Sequence, residues 1–132
     1  MNNHVVSLEL SEILRELGSL QESQFYWQRT GQDSWEIWGI NDYDEYSAGK
    51  YKDQKISAYI TSEIGLLLPE LVDIEGVTYY IVSQRGLAGN LWYSLLRECN
   101  YHRQFRLSWE DKLEVNARAK MYAYLLENRF IL

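Results

Sequence analysis

The sequence predicts an α+β protein: a mainly antiparallel sheet with an N-terminal helix, a short middle helix and a long C-terminal helix packed on it. Three observations lead there. Apolar residues recur every three to four positions near both ends of the chain. Several central segments alternate in character or carry aromatic runs, and turn residues separate them. Strands and helices do not alternate strictly, as a doubly wound parallel sheet would require.

The first helix is expected over Ser7 to Leu17, where Leu10, Ile13, Leu14 and Leu17 follow the helical period. Ser7 supplies an N-cap oxygen, and Gly18 tolerates the left-handed conformation that ends a helix. Two strands follow, Gln24 to Thr30 and Ser34 to Ile40, joined by Thr30-Gly31-Gln32-Asp33. In the second, Trp35, Ile37 and Gly39 oppose Glu36, Trp38 and Ile40. Asn41 to Asp53 is polar and tyrosine-rich and reads as a loop. Ile60 to Leu68 reads as a short helix capped by Thr61 or Ser62 and ended by Pro69.

Leu71 to Ile74 and Val77 to Gln84 read as a hairpin around Glu75-Gly76. Leu91 to Cys99 and Tyr101 to Leu107 read as further strands, with Phe105 and Leu107 inward and Gln104 and Arg106 outward. The last helix is expected over Trp109 to Asn128. Ser108 is its cap, and Glu110, Asp111 and Glu114 face the positive end of its dipole. Val115, Ala119, Tyr122 and Leu126 form its apolar stripe, with Met121 and Leu125 beside it. Phe130-Ile131-Leu132 is too apolar to extend into water and is expected to fold back on the core.

With 132 residues the chain is expected to be a single domain, 1–132, with no linker or repeat. A net charge of −6 opposes non-specific binding to phosphate backbones. Residues 1–76 hold 14 acidic and 5 basic side chains, while residues 77–132 hold 5 and 8. The plain reading is solvated acidic faces, with the two halves interleaved in the fold. The lone cysteine, the absence of Lys or Arg before residue 15 and the shortness of every apolar run predict a cytoplasmic protein without signal peptide, membrane segment or disulfide.

Two blocks resemble small uncharacterised proteins of bacterial phages and prophages. Ala58-Tyr59-Ile60-Thr61-Ser62-Glu63-Ile64-Gly65-Leu66-Leu67-Leu68-Pro69 is similar to a segment that typically runs Ala-Pro-Thr, then Glu-Leu-Gly, then Leu-Pro. Tyr59 and Ile60 depart from it, standing where proline and threonine are usual. Glu114 through Ile131, with Ala117-Arg118-Ala119-Lys120-Met121 and Tyr124-Leu125-Leu126-Glu127-Asn128, is similar to the C-terminal helix of the same proteins. The resemblance implies a mobile-element origin and brings no catalytic residue. Read physically, Gly65 permits close packing. Glu114 and Arg118, four apart on one helix face, form an ion pair worth about 0.2–0.5 kcal/mol.

Sites of known chemistry are poorly matched. Taken from Asp42, a calcium loop would need glycine where Ser47 stands and glutamate where Asp53 stands. His4, Cys99 and His102 lack zinc spacing, and Cys99 with His102 is a pair in sequence only. Ser83-Gln84-Arg85-Gly86 lacks the surroundings of a nucleophile elbow, and Gly86-Leu87-Ala88-Gly89 lacks the lysine of a phosphate loop. No cofactor and no metal are expected. The leading expectation is a non-enzymatic accessory protein that binds a protein partner or itself, because Tyr, Trp and Arg dominate interfaces. The alternative is a nucleic-acid-binding protein, whose basic-aromatic strands around 91–107 hold phosphates and stack bases. The binding residues expected on either reading are Trp92, Arg97, Arg103 and Arg106.

Overall fold

The computed structural model describes residues 3–86, 90–99 and 105–131. In chain order it contains α1 (Leu8–Glu16), β1 (Phe25–Arg29), β2 (Trp35–Gly39), α2 (Asp42–Glu45), a 3₁₀ turn at Gly49–Tyr51 and β3 (Lys55–Ser57). There follow α3 (Thr61–Leu67), β4 (Leu71–Ile74), β5 (Val77–Arg85), β6 (Trp92–Glu98), β7 (Phe105–Asp111) and α4 (Glu114–Glu127). The architecture is α+β. The strands divide between two antiparallel sheets, ordered β2-β1-β3 and β4-β5-β6-β7. The change in charge balance at residue 77 falls inside the β4–β5 hairpin. The acidic half thus lends β4 to the second sheet and α3 to the surface of α4, so the two halves interleave.

Local chemistry accounts for most element ends. Ser7 Oγ accepts the Leu10 N–H at 3.3 Å, and Gly18, at φ +89°, closes α1. Leu10, Leu14 and Leu17 turn inward from this helix, whereas Ile13 is 45% exposed and lies off the buried stripe. The β1–β2 turn closes with the Thr30 N–H on the Ser34 carbonyl at 2.8 Å. At the β4–β5 hairpin both Glu75 (φ 53°) and Gly76 (φ 83°) are left-handed, the backbone that matches the twist of a two-residue turn. The α3 helix starts from Ile60 rather than from a hydroxyl at Thr61 or Ser62. Glu63 reaches back to accept the Ile60 N–H at 3.0 Å, the glutamate half of a capping box, without a hydroxyl at the cap. The same carboxylate accepts from Ser23 Oγ at 2.8 Å and Gln24 N at 3.1 Å, tying α3 to the entry of β1.

The last helix begins later than its capping pattern suggests. Ser108, Trp109, Glu110 and Asp111 are strand residues, paired with Leu95, Ser94, Tyr93 and Trp92 of β6. Ladder hydrogen bonds and the packing of Trp109 on Tyr124 (ring centroids 5.0 Å apart) outweigh the local preference of a serine followed by acids. Asp111 still caps, by accepting the Leu113 N–H at 3.0 Å. Burial alone would push its carboxyl up, but that hydrogen bond and the Lys120 ammonium at 3.1 Å hold it below the ordinary range. A bulge between Leu96 and Arg97 separates the pairings of Leu107 and Phe105, and Leu107 remains 38% exposed.

The core is organised around α4, which is buried on opposing sides. Val115, Ala119, Tyr122 and Ala123 pack with Val6, Leu14, Tyr59 and Ile64. Met121 and Leu125 pack with Val72, Ile74, Tyr79 and Leu96 of the second sheet. Leu68 and Ile131 touch both clusters, so the chain after α4 does fold back on the core, through Phe130 and Ile131. Asn128 caps α4 through its side-chain amide on the Tyr124 carbonyl at 2.9 Å, and Arg129 takes the left-handed conformation after it.

Buried polar groups join distant segments. Ser19 Oγ lies 2.9 Å from Tyr59 Oη and 3.0 Å from Tyr122 Oη, linking the exit of α1 to α4. Burial pushes the Tyr59 phenol above its ordinary value, with the Ser19 hydrogen bond opposing part of that effect. Near the N-terminus, the Val6 carbonyl accepts the Trp27 indole N–H at 2.9 Å and the Ser7 N–H donates to Asn116 Oδ1 at 2.9 Å. Ser19→Ala would take the shared hydroxyl from two buried phenols, leaving Tyr59 only the neighbouring Ser57. We expect it to lower the unfolding free energy by about 1–3 kcal/mol, read by urea denaturation; a change of a few tenths would show that the phenols find other partners.

Candidate functional site

Of the residues expected to bind a partner, Trp92 and Arg97 can be placed relative to one another. Trp92 and Arg97 lie five positions apart on β6, so strand alternation sends them to opposite faces. Trp92 shares the helix-facing side with Ser94 and Leu96, and is flanked by Arg85 and Asp111 in register. Arg97 stands on the other side, in a cross-strand row with Tyr80 and Leu71. Arg106 belongs to β7 at the bulge, and Arg103 lies outside the described residues, as does His102. Cys99 is half-buried. Among the described residues no three or more His, Cys, Asp or Glu side chains converge on a metal-sized space. Asp42 accepts the Gly39 N–H at 2.7 Å and belongs to a single helical turn inside the segment read as loop.

The site best supported by geometry lies where α3, β5 and α4 meet. A cavity of about 200 Å³ is lined by Gly65, Leu68, Pro69, Glu70, Ile81, Ser83 and Arg118. Three separate elements build it. The α3 helix supplies Gly65, whose missing side chain matters: a Cβ there would come within 3.2 Å of Arg118 Nη1. The β5 strand supplies Ile81 and Ser83 on its helix-facing side. The α4 helix supplies Arg118, whose Nη2 donates to Glu114 Oε1 at 2.9 Å; Ser83 Oγ donates to the same oxygen at 3.3 Å. Arg118 Nε is buried and meets no acceptor among the described residues. The cavity therefore holds a guanidinium with unused donor capacity, two carboxylates nearby and an apolar wall of Leu68, Pro69 and Ile81. Leu66, the chain neighbour of Gly65, is 89% exposed.

Two segments far apart in sequence, 58–69 and 114–131, meet here. Gly65 and Pro69 come from the first, Glu114 and Arg118 from the second, and α3 packs directly on α4. The ion pair expected from their spacing is formed, with about a quarter of each side chain exposed. A pair so placed contributes little to stability, about 0.3–0.5 kcal/mol.

A second organised surface lies on the outer face of the first sheet. Gln28 is fully buried there. Its amide donates to the Tyr51 carbonyl at 2.8 Å and the Arg29 carbonyl at 3.0 Å, while its Oε1 accepts the Tyr43 hydroxyl at 2.8 Å. These bonds fasten the 41–54 segment over the strands. Around them is a ring cluster: Trp38 with Tyr43 at 5.0 Å, Trp38 with Tyr46 at 5.9 Å and Tyr26 with Tyr43 at 6.2 Å between centroids. The Lys55 ammonium sits 4.7 Å from the Tyr26 ring and 4.9 Å from the Tyr43 ring. Burial, together with the charges of Tyr26 and Asp42, pushes the Tyr43 phenol up to about 12. Beside the cluster, Glu36, Ile37, Trp38, Asp42 and Tyr46 enclose a cavity of about 330 Å³.

No protein family, no curated protein and no solved structure matches this chain.

Two outcomes follow from this geometry. Arg118→Met keeps the stem that packs under α3 and removes every donor. It should lower the unfolding free energy by no more than about 1 kcal/mol in urea denaturation, because it gives up a weak ion pair and relieves a buried unmatched N–H; a loss of several kcal/mol would mark Arg118 as a structural strut. Tyr43 is neutral in the fold at a pH where an exposed phenol ionises. The stability this contributes is complete below pH 10 and declines as pH rises toward about 12. Tyr43→Phe should therefore flatten the fall of melting temperature between those values; an unchanged alkaline slope would refute the assignment.

Proposed function

We propose that this domain is a non-enzymatic protein-binding module whose docking point is the α3–β5–α4 corner. The single observation that carries the reading is the buried Arg118 Nε, which meets no acceptor among the described residues, at a cavity walled by Leu68, Pro69 and Ile81 and next in sequence to the exposed Leu66. A buried donor without a partner costs the free protein stability, and an incoming acceptor recovers it. The occupant that fits is a peptide segment. A main-chain carbonyl meets the guanidinium, and an apolar side chain lies on Leu68, Pro69 and Ile81. The Glu70 and Glu114 carboxylates accept its N–H groups. The exposed Leu66, next to Gly65 in α3, adds apolar contact area and excludes water, as residues around interface hot spots do. The resemblance of both contributing blocks to phage and prophage proteins fits an accessory protein of mobile-element origin.

The test is selection of binders from a displayed random-peptide library against the full chain, followed by affinity measurement on variants. Leu66→Asp and Arg118→Met should each weaken the selected peptides about tenfold or more, with the far-UV circular dichroism and urea midpoint retained. Sedimentation of the wild-type chain distinguishes a second copy from a foreign partner as the natural source of the segment. Peptides that bind both variants as tightly as wild type would sink the proposal.

A further inference from the structure

The cavity beside the ring cluster has a chemistry of its own, independent of the docking corner. Its walls are two carboxylates, Glu36 and Asp42, and two aromatic rings, Trp38 and Tyr46. Glu36 Oε2 accepts the Trp38 indole N–H at 3.2 Å, which fixes the carboxylate against the ring edge. Asp42 is fixed by the Gly39 N–H at 2.7 Å. Both anions are therefore positioned by neutral donors, and neither forms an ion pair with a Lys, Arg or His among the described residues. The rings are arranged at an angle: Trp38 and Tyr46 stand 52° apart, so they make a corner rather than a stack. Tyr46, 60% exposed, is the accessible ring, and Trp38, 7% exposed, is the wall behind it.

The same cluster already holds one cation. The Lys55 ammonium lies over both Tyr26 and Tyr43, and Tyr43 is the ring against which Trp38 packs. A second pair on the segment repeats the pattern, with the Arg29 guanidinium 4.7 Å and the Lys50 ammonium 5.1 Å from the Tyr51 ring. The rings of this face thus attract cations within the fold, while Glu36 and Asp42 add negative charge that no ion pair among the described residues offsets. Aromatic faces combined with carboxylates favour an organic cation over a hydrated metal ion, because the rings stabilise a diffuse positive charge and bury its methylene or methyl groups.

We propose that the cavity bounded by Glu36, Trp38, Asp42 and Tyr46 binds an alkylammonium group. The group is a substituted amine head with carbon around the charge. It is presented either by a lysine side chain, methylated or not, or by a free small amine. The volume of about 330 Å³ admits such a head with its first methylenes.

The experiment is a two-dimensional ¹H–¹⁵N titration of the full chain, following the Trp38 indole resonance assigned with Trp38→Phe. The probes are tetramethylammonium, N-acetyl-lysine amide, its trimethylated form and the neutral tert-butyl isostere of the trimethylated form. The cations should shift the resonance saturably at millimolar concentration or below, and the isostere at least tenfold more weakly. Tighter binding of the lysine amides than of tetramethylammonium identifies a protein side chain as the source, and the reverse identifies a free amine. Glu36→Gln with Asp42→Asn keeps the acceptor oxygens and should weaken binding about tenfold or more, as should Tyr46→Ala. Equal binding of the isostere, unchanged binding by the double variant, or no saturable shift with any cation would overturn the proposal.

Discussion

Burial of α4 on two opposing sides is the constraint on which the rest of the molecule depends. A helix of 14 residues ordinarily turns one stripe inward, but here one side meets α1, α3 and the N-terminal segment while the other lies along the second sheet. Small residues make this possible. Ala117, Ala119 and Ala123 let neighbouring backbones approach, while Met121, Tyr122 and Leu125 fill the larger gaps. Truncating a fully buried leucine of this kind costs about 2–5 kcal/mol. Polar ends of two buried side chains are matched individually, Tyr122 by Ser19 and Asn116 by the Ser7 N–H, whereas Arg118 Nε is left without an acceptor among the described residues.

Two surfaces lie beside this core, and the two sheets contribute to them differently. The first sheet covers its face with its own 41–54 segment, fastened by the buried Gln28 and roofed with tyrosines. The second sheet leaves a corner at its junction with α3, where Gly65 makes room for a guanidinium. The two surfaces differ in polarity. One is an aromatic and acidic recess, the other an arginine beside an apolar wall.

Much of this was legible in the residues. Alternation placed β1, β2, β4 and β5 within a residue or so, and Glu75-Gly76 marked a turn whose two left-handed residues only tight hairpins require. Ser7 and Gly18 marked α1, and the spacing of Glu114 and Arg118 marked their ion pair. The start of α4 was not legible, because Ser108 and the acids after it have the composition of a helix cap. What places them in β7 is pairing with β6, a contact between segments that local preference does not register. The division into two sheets was hidden for the same reason, since strand order along the chain does not say which strands pair. The corner was visible only in fragments. Gly65 could be read as a point of close packing and Arg118 as half of an ion pair, but their meeting with Ser83 depends on the packing of α3 on α4. The basic-aromatic pattern of 91–107 showed residue types without faces, and strand alternation separates Trp92 from Arg97.

The hydrogen bond from Ser7 to Asn116 spans 109 positions of sequence, and the one from Ser19 to Tyr122 spans 103. Each sheet, by contrast, pairs strands that are near neighbours along the chain. The first sheet can thus assemble as a nascent chain leaves the ribosome, and the second soon after it. Val5 and Val6 pair with Ile60, Tyr59 and Trp27, but the Ser7 N–H must wait for Asn116 of α4. Loops this long are slow to close. Until α4 is in place, Leu14 and Ile64 on one side and Val72, Ile74 and Leu96 on the other lack the helix that covers them.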